Sequence, residues 1–100
     1  MANNAGKIRL EATLQRHIMD YLQQHGAYVF KVVGSPMQQR GTPDLLVCYK
    51  GRFLGLEVKL RGEQLKGLQL FEQQRIQQAG GVALRVESLN DVIKALEGIK

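Results

Sequence analysis

The stretch GTPDLLVCYKGRFLGLEVKLR, residues 41–61, constrains the fold more than any other part of the chain. It alternates, turns at Lys50-Gly51 and alternates again, which is the pattern of two strands joined as a hairpin. With Lys50-Gly51 as a two-residue turn, Tyr49 pairs with Arg52 and Asp44 falls opposite Glu57. Directly opposed side chains hold their Cβ atoms ~4.5–5.5 Å apart, so two carboxylates there repel unless a cation lies between them or one keeps a proton. Lys59 is two residues past Glu57 and shares its face, whereas Leu54, Leu56, Val58 and Leu60 make the other face wholly apolar. Gly55, between Phe53 and Glu57 on the polar face, is expected to clear room beside the acids. A one-residue slip would send Asp44 to the opposite face, so the turn decides whether the acids meet.

The remainder of the chain supplies elements to pack around that hairpin. Residues 7–24 read as an amphipathic helix through Leu14, Ile18 and Leu22, with Tyr21 on the same stripe and Gly26 as the stop. AYVFKVV, residues 27–33, reads as a strand, and GSPMQQRGTP, residues 34–43, as a loop holding both prolines of the chain. The hairpin strands cover residues 44–49 and 53–60. A second helix is predicted over 64–79, with Leu65, Leu68, Phe71 and Ile76 as its apolar face and Gly67 weakening its first turn. Residues 82–87 form a fourth strand. Ser88 is an N-cap with Asp91 in the capping-box position, opening a last helix over 89–97. The expected architecture is one α/β domain spanning residues 1–100, a central mixed sheet flanked by helices in the order αβββαβα.

Composition narrows the setting. A chain of 100 residues with 44% hydrophobic and 23% charged content is that of a globular protein. No apolar run approaches the ~18–20 residues that span a bilayer, and the N-terminal residues lack a signal-peptide pattern, so a cytoplasmic location is expected. The formal net charge of +5 suits an anionic partner. Cys48 is alone, which excludes an internal disulfide, and its apolar strand suggests a small buried hydrophobe. His17 and His25 lack metal-ligand spacing and suit surface or helix-end positions.

Acids paired on a hairpin with a lysine beside them suit a particular chemistry. Mg²⁺ or Mn²⁺ takes hard oxygen ligands, commonly one or two carboxylates completed by water and substrate phosphate. Asp44 and Glu57 supply the carboxylates. Val58 can add its backbone carbonyl because its side chain points into the core. Lys59 would orient water and offset phosphate charge, giving metal-dependent phosphodiester hydrolysis.

Pro43-Asp44, a spacer and then Glu57-Val58-Lys59 resemble the PD-(D/E)xK nuclease signature. The wider frame GTPDLLV, GRFLGLEVKLR, LQLF and AGG is similar to the VRR-NUC branch of that superfamily, from Glu11 to about Ile93. The resemblance implies a restriction-endonuclease-like fold and a Mg²⁺- or Mn²⁺-dependent deoxyribonuclease. It further implies a phage or bacterial repair setting, branched or junction DNA as substrate, a homodimer, and a helicase as a conceivable partner. It also implies that Glu11, on the first helix, reaches the metal directly or through water, and that Gln69 faces the site and holds a water or phosphate. Lys66 departs from the serine or threonine expected at the helix start. Without the resemblance, Glu11 is an acid near a helix N-terminus and Gln69 one glutamine among many. Arg40, Arg61 and Arg52 are the candidate contacts to DNA phosphates, which position a duplex without reading bases. Two other readings are a DNA-binding module of the same fold without catalysis and a small interaction domain whose charges are solvated.

Overall fold

Lys50 and Gly51 both take positive φ, 51° and 77°, in the computed structural model of the chain. That is the conformation of a type I′ turn, whose twist matches the strands it joins. It fixes the expected register, with Tyr49 facing Arg52 and Leu45 facing Leu56. The structure describes residues 4–34 and 40–100, so the loop residues 35–39 lie outside the described residues.

The elements follow the expected order αβββαβα. They are α1 (Asn4–Gln24), β1 (Tyr28–Lys31), β2 (Leu45–Tyr49), β3 (Arg52–Val58), α2 (Gly67–Gln78), β4 (Val82–Val86) and α3 (Leu89–Glu97). The sheet order is β1-β2-β3-β4. β1, β2 and β3 are antiparallel, and β4 joins parallel to β3 after the α2 crossover, so the sheet is mixed.

One face of the sheet holds the core. Leu45 and Val47 of β2, Leu54, Leu56 and Val58 of β3 and Val86 of β4 pack against Ile18 and Leu22 of α1 and Val92 and Leu96 of α3. The period-2 pattern of the hairpin and the four-residue spacing of α1 meet here, and burial of these side chains is the main source of stability. Ser88 caps α3, its hydroxyl accepting from the Asp91 amide at 3.2 Å. The Asp91 carboxylate accepts from the Glu87 amide at 2.9 Å, one residue earlier than a capping box requires.

Three expectations for the other face are corrected. Leu68 and Phe71 do not face the core; they are 52% and 56% exposed, and α2 touches the sheet through Ile76, with Glu72 as its buried residue. Phe71 and Ile76 are five apart, about 140° around a helix, so only one can face the sheet. Cys48 is exposed, because it lies with Tyr28 and Phe53 toward the β1 edge of a sheet face that α2 covers from the β4 side. Gly55 does not open space beside the acids. Ile76 and Pro43 fill it, and a Cβ there would stand 2.8 Å from Ile76 Cδ1 and 2.9 Å from Pro43 Cγ. The Gly55→Ala variant is therefore overpacked and should lose about 1–3 kcal/mol of unfolding free energy, measured by urea denaturation.

Candidate active site

Asp44 stands where the hairpin ladder ends. Its backbone carbonyl accepts from the Val32 amide at 2.8 Å, which carries the β1 pairing one step further. Its carboxylate Oδ2 accepts from the Val58 amide, also at 2.8 Å. In the hairpin register Val58 lies next to Pro43, and the chain leaves the sheet there. The Asp44 side chain thus takes the amide that a continuing strand would have taken.

Glu57 is the next residue along β3 after the Leu45–Leu56 pair and is 5% exposed. It lies against Asp44, as the register requires, and is hydrogen-bonded to it. Burial first, then the charge and hydrogen bond of Asp44, push its carboxyl up to about 8 from the ordinary 4.5. Lys59 works in the opposite sense and favours the ionised form. Glu57 therefore keeps its proton at neutral pH in the absence of a cation.

Gln69 comes to Glu57 from α2. Its Nε2 donates to Glu57 Oε1 at 3.2 Å, and its Oε1 accepts from the Lys66 amide at 2.9 Å. This second bond is half of a capping box; the Lys66 side chain, a donor only, caps nothing in return. The capping bond fixes which way the amide points, so the NH₂ group faces the carboxyl. Gly41 allows α2 to come this close. Its φ is +83°, and a Cβ there would fall on the Leu68 carbonyl group, 2.6 Å from its carbon.

Glu11 is half-buried on α1. Burial raises its pKa first, followed by the charges of Asp44 and Glu63, with Lys59 and Lys7 opposing. These influences place it in the same electrostatic cluster as Asp44 and Lys59. Lys59 itself is half-buried and anchored through its amide to the Val86 carbonyl at 2.9 Å. Val58 is 1% exposed, its side chain in the core as expected. Arg40 and Arg61 are exposed beside this end of the sheet, one residue before Gly41 and two after Lys59 in the chain. Arg52 is exposed at the hairpin turn, the opposite end of β3, five residues or ~16 Å along the strand from Glu57. His17 and His25 are exposed, and the His25 ring stacks on Tyr21 with centroids 4.0 Å apart.

Sequence reasoning passed over three charged residues here. Lys7 pairs with Glu63 at 2.6 Å across the edge of the cluster, one turn of α1 before Glu11. The Lys7 bond, then the Leu60 amide, hold the Glu63 carboxyl below its ordinary value. The four-residue spacing of Lys7 and Glu11 was the available signal. Arg85 of β4 lies beside Glu57 in the parallel register, a relation that no local pattern announces.

Among the described residues, no group of three His, Cys, Asp or Glu side chains is gathered as a ready metal cage. A magnesium-type site does not need one. Two carboxylates and a backbone carbonyl, completed by water and phosphate, are a sufficient donor set for a hard cation. The fit is supported by the crowding itself, since Glu57 is buried against the Asp44 carboxylate, where a cation would take the place of its proton.

A four-stranded mixed sheet flanked by helices in this order is the fold of a nuclease-like domain. A solved structure described as "VRR_NUC domain" superposes with a TM-score of 0.76 over 90% of this chain and 97% of that one, at 28% sequence identity. No protein-family model matches the sequence, and no curated protein does. The chain has the VRR_NUC fold, with strands and helices in the same order.

The Glu57 proton makes stability depend on pH. Its folded pKa of about 8 lies above the ordinary 4.5, so the folded state holds a proton that the unfolded chain has lost. Stability falls as pH rises between these two values. In chelator, the unfolding temperature should be lower at pH 8.5 than at pH 6. Glu57→Gln, which keeps the neutral shape, should flatten that difference, read by thermal unfolding followed by circular dichroism.

Proposed function

We propose that this chain is a Mg²⁺- or Mn²⁺-dependent deoxyribonuclease that hydrolyses phosphodiester bonds in branched DNA as a homodimer. The observation that carries the reading is the buried Glu57, pressed against Asp44 and bonded by Gln69, on the VRR_NUC fold. A pure binding module has no use for acids where phosphate must approach.

Asp44, Glu57 and the Val58 carbonyl would hold the cation, with Glu11 reaching it directly or through water. When bound, the cation supplies Lewis acidity to the scissile phosphate and the attacking water. The chain's own groups do the remainder. Lys59, two residues past Glu57 and close enough to favour its ionised form, would offset charge that develops on the phosphate oxygens. Gln69 keeps Glu57 Oε1 oriented and has its own amide fixed by Lys66. Glu57 must lose its proton for the cation to bind, so metal affinity should rise as pH approaches 8. Arg40 and Arg61 would hold backbone phosphates near the site, and Arg52 others further along the duplex.

The homodimer is supported by an open apolar face. Tyr28 is 68% exposed, Phe30 54% and Phe53 43%, and with Leu46 and Cys48 they line a shallow cleft of about 340 Å³ beside α2, toward the β1 edge of the sheet. Exposed apolar patches of this kind mark association surfaces. A twofold pair of sites would address both strands of a branched duplex.

The test is a cleavage panel over four-way junctions, flaps and linear duplex with Mg²⁺ or Mn²⁺. Wild type should cut and chelator should stop it. Asp44→Ala, Glu57→Ala and Lys59→Ala should each lower the rate by roughly 10²-fold or more. The same acid variants should bind DNA in metal-free gel shifts as tightly as wild type or more tightly, since a negative charge is removed. Wild type that binds without cutting would make the chain a DNA-binding module instead.

A further inference from the structure

The chain turns sharply just after Lys59, and the turn is fixed from three sides. The Glu63 amide donates to the Leu60 carbonyl at 3.0 Å, closing residues 60–63 as a β-turn, with Gly62 at φ +87° in the position that demands glycine. The Glu63 carboxylate accepts from the Leu60 amide at 2.8 Å, so the turn is closed a second time by its own side chain. Its other oxygen pairs with Lys7 of α1.

The third hold comes from β4. Arg85 neighbours Glu57 in the parallel register and therefore shares its face of the sheet. Its guanidinium donates from Nε to the Glu63 carbonyl at 2.8 Å and from Nη2 to the Leu60 carbonyl at 3.4 Å. A single planar fork thus grips both ends of the turn, a geometry that an ammonium cannot copy. Its charge is partly met by Glu87 at 3.7 Å. The side chain is 25% exposed, so these bonds are shielded from competing water.

We infer that Arg85 is a positioning residue for Lys59: by locking the turn 60–63 onto β4, it fixes the backbone on which the catalytic lysine stands. The inference rests on the nuclease reading of the site. Lys59 is tied to β4 on its N-terminal side by the hydrogen bond that its N–H donates to the Val86 carbonyl, and the Arg85 fork supplies the matching tie on its C-terminal side. A long flexible lysine needs a fixed backbone to bring its ammonium to one place. Misplacement of a catalytic group by about 1 Å can cost 10²-fold in rate.

The experiment compares wild type with Arg85→Gln and Arg85→Lys. Amide ¹⁵N order parameters at residues 59–63 should fall in Arg85→Gln from the rigid value near ~0.85 toward ~0.6 or below, while β1 to β3 stay rigid. The single-turnover rate at saturating junction DNA with Mn²⁺ should fall roughly ten- to a hundredfold, with metal-free DNA affinity unchanged. Arg85→Lys, which can donate to one carbonyl at a time, should recover part of both losses, and it serves as the test variant where Arg85→Gln does not fold. Unchanged order in the turn would overturn the inference. So would a loss of DNA affinity at an unchanged saturating rate, which would make Arg85 a phosphate contact. Failure of wild type to cut any substrate would sink the nuclease reading instead, and the relaxation data would then decide by themselves whether Arg85 holds the turn.

Discussion

The hydrogen bond from the Val58 amide to the Asp44 carboxylate is the point on which the site depends. β3 runs past the end of β2, and in that overhang its amides on the β2 side have lost their strand partner. One of them is taken by a side chain. This satisfies a buried donor, and it also anchors a carboxylate at the one place where the next residue, Glu57, is buried and faces it. A backbone requirement and a site geometry are met by the same atoms. Leaving such an amide unpaired would cost about 1–3 kcal/mol, so the fold itself supports the position of Asp44.

Everything around that bond serves close approach. Gly41 lets the start of α2 rest directly on the loop before Asp44, and Gly55 gives its space to Ile76 and Pro43. These two contacts set the height of α2 over the sheet. At that height Gln69 reaches Glu57 and its capping bond to Lys66 fixes its orientation. Fixed burial of a carboxyl between a second carboxyl and an amide donor is costly to a protein with no use for it. The raised pKa of Glu57 is the electrostatic signature of that cost, and perturbed acids of this kind concentrate at functional sites.

How much of this was legible depended on whether the information was local. The hairpin was readable because two adjacent residues, Lys50 and Gly51, fix a register that then determines every pair up to the acids. The helix stripe through Ile18 and Leu22 and the Ser88 cap were readable for the same reason. α2 was misread because its apolar residues are spread around the cylinder, and the sheet it rests on offers only Gly55, Gly81 and their neighbours to touch. Cys48 was misread because LLVCY is apolar on both faces, and alternation does not say how far across a face a helix will reach. Gln69 could be placed only through the family resemblance; composition made it one of many glutamines.

Arg85 and Glu63 belong to the part that no local pattern encodes. A parallel strand receives its register from the whole crossover before it, so which residue of VALRV would sit beside Glu57 depended on the length and seating of α2. Once seated, β4 does two things that the hairpin alone cannot. Its Val86 carbonyl binds the Lys59 amide, and its Arg85 fork binds the turn beyond. The acids are thus held by the antiparallel half of the sheet and the lysine by the parallel half, with β3 common to both. The relative position of acid and lysine is then set by one strand of pleated backbone, whose stiffness is greater than that of any loop. This division accounts for a site placed where the β2–β3 ladder ends while the β3–β4 ladder still runs.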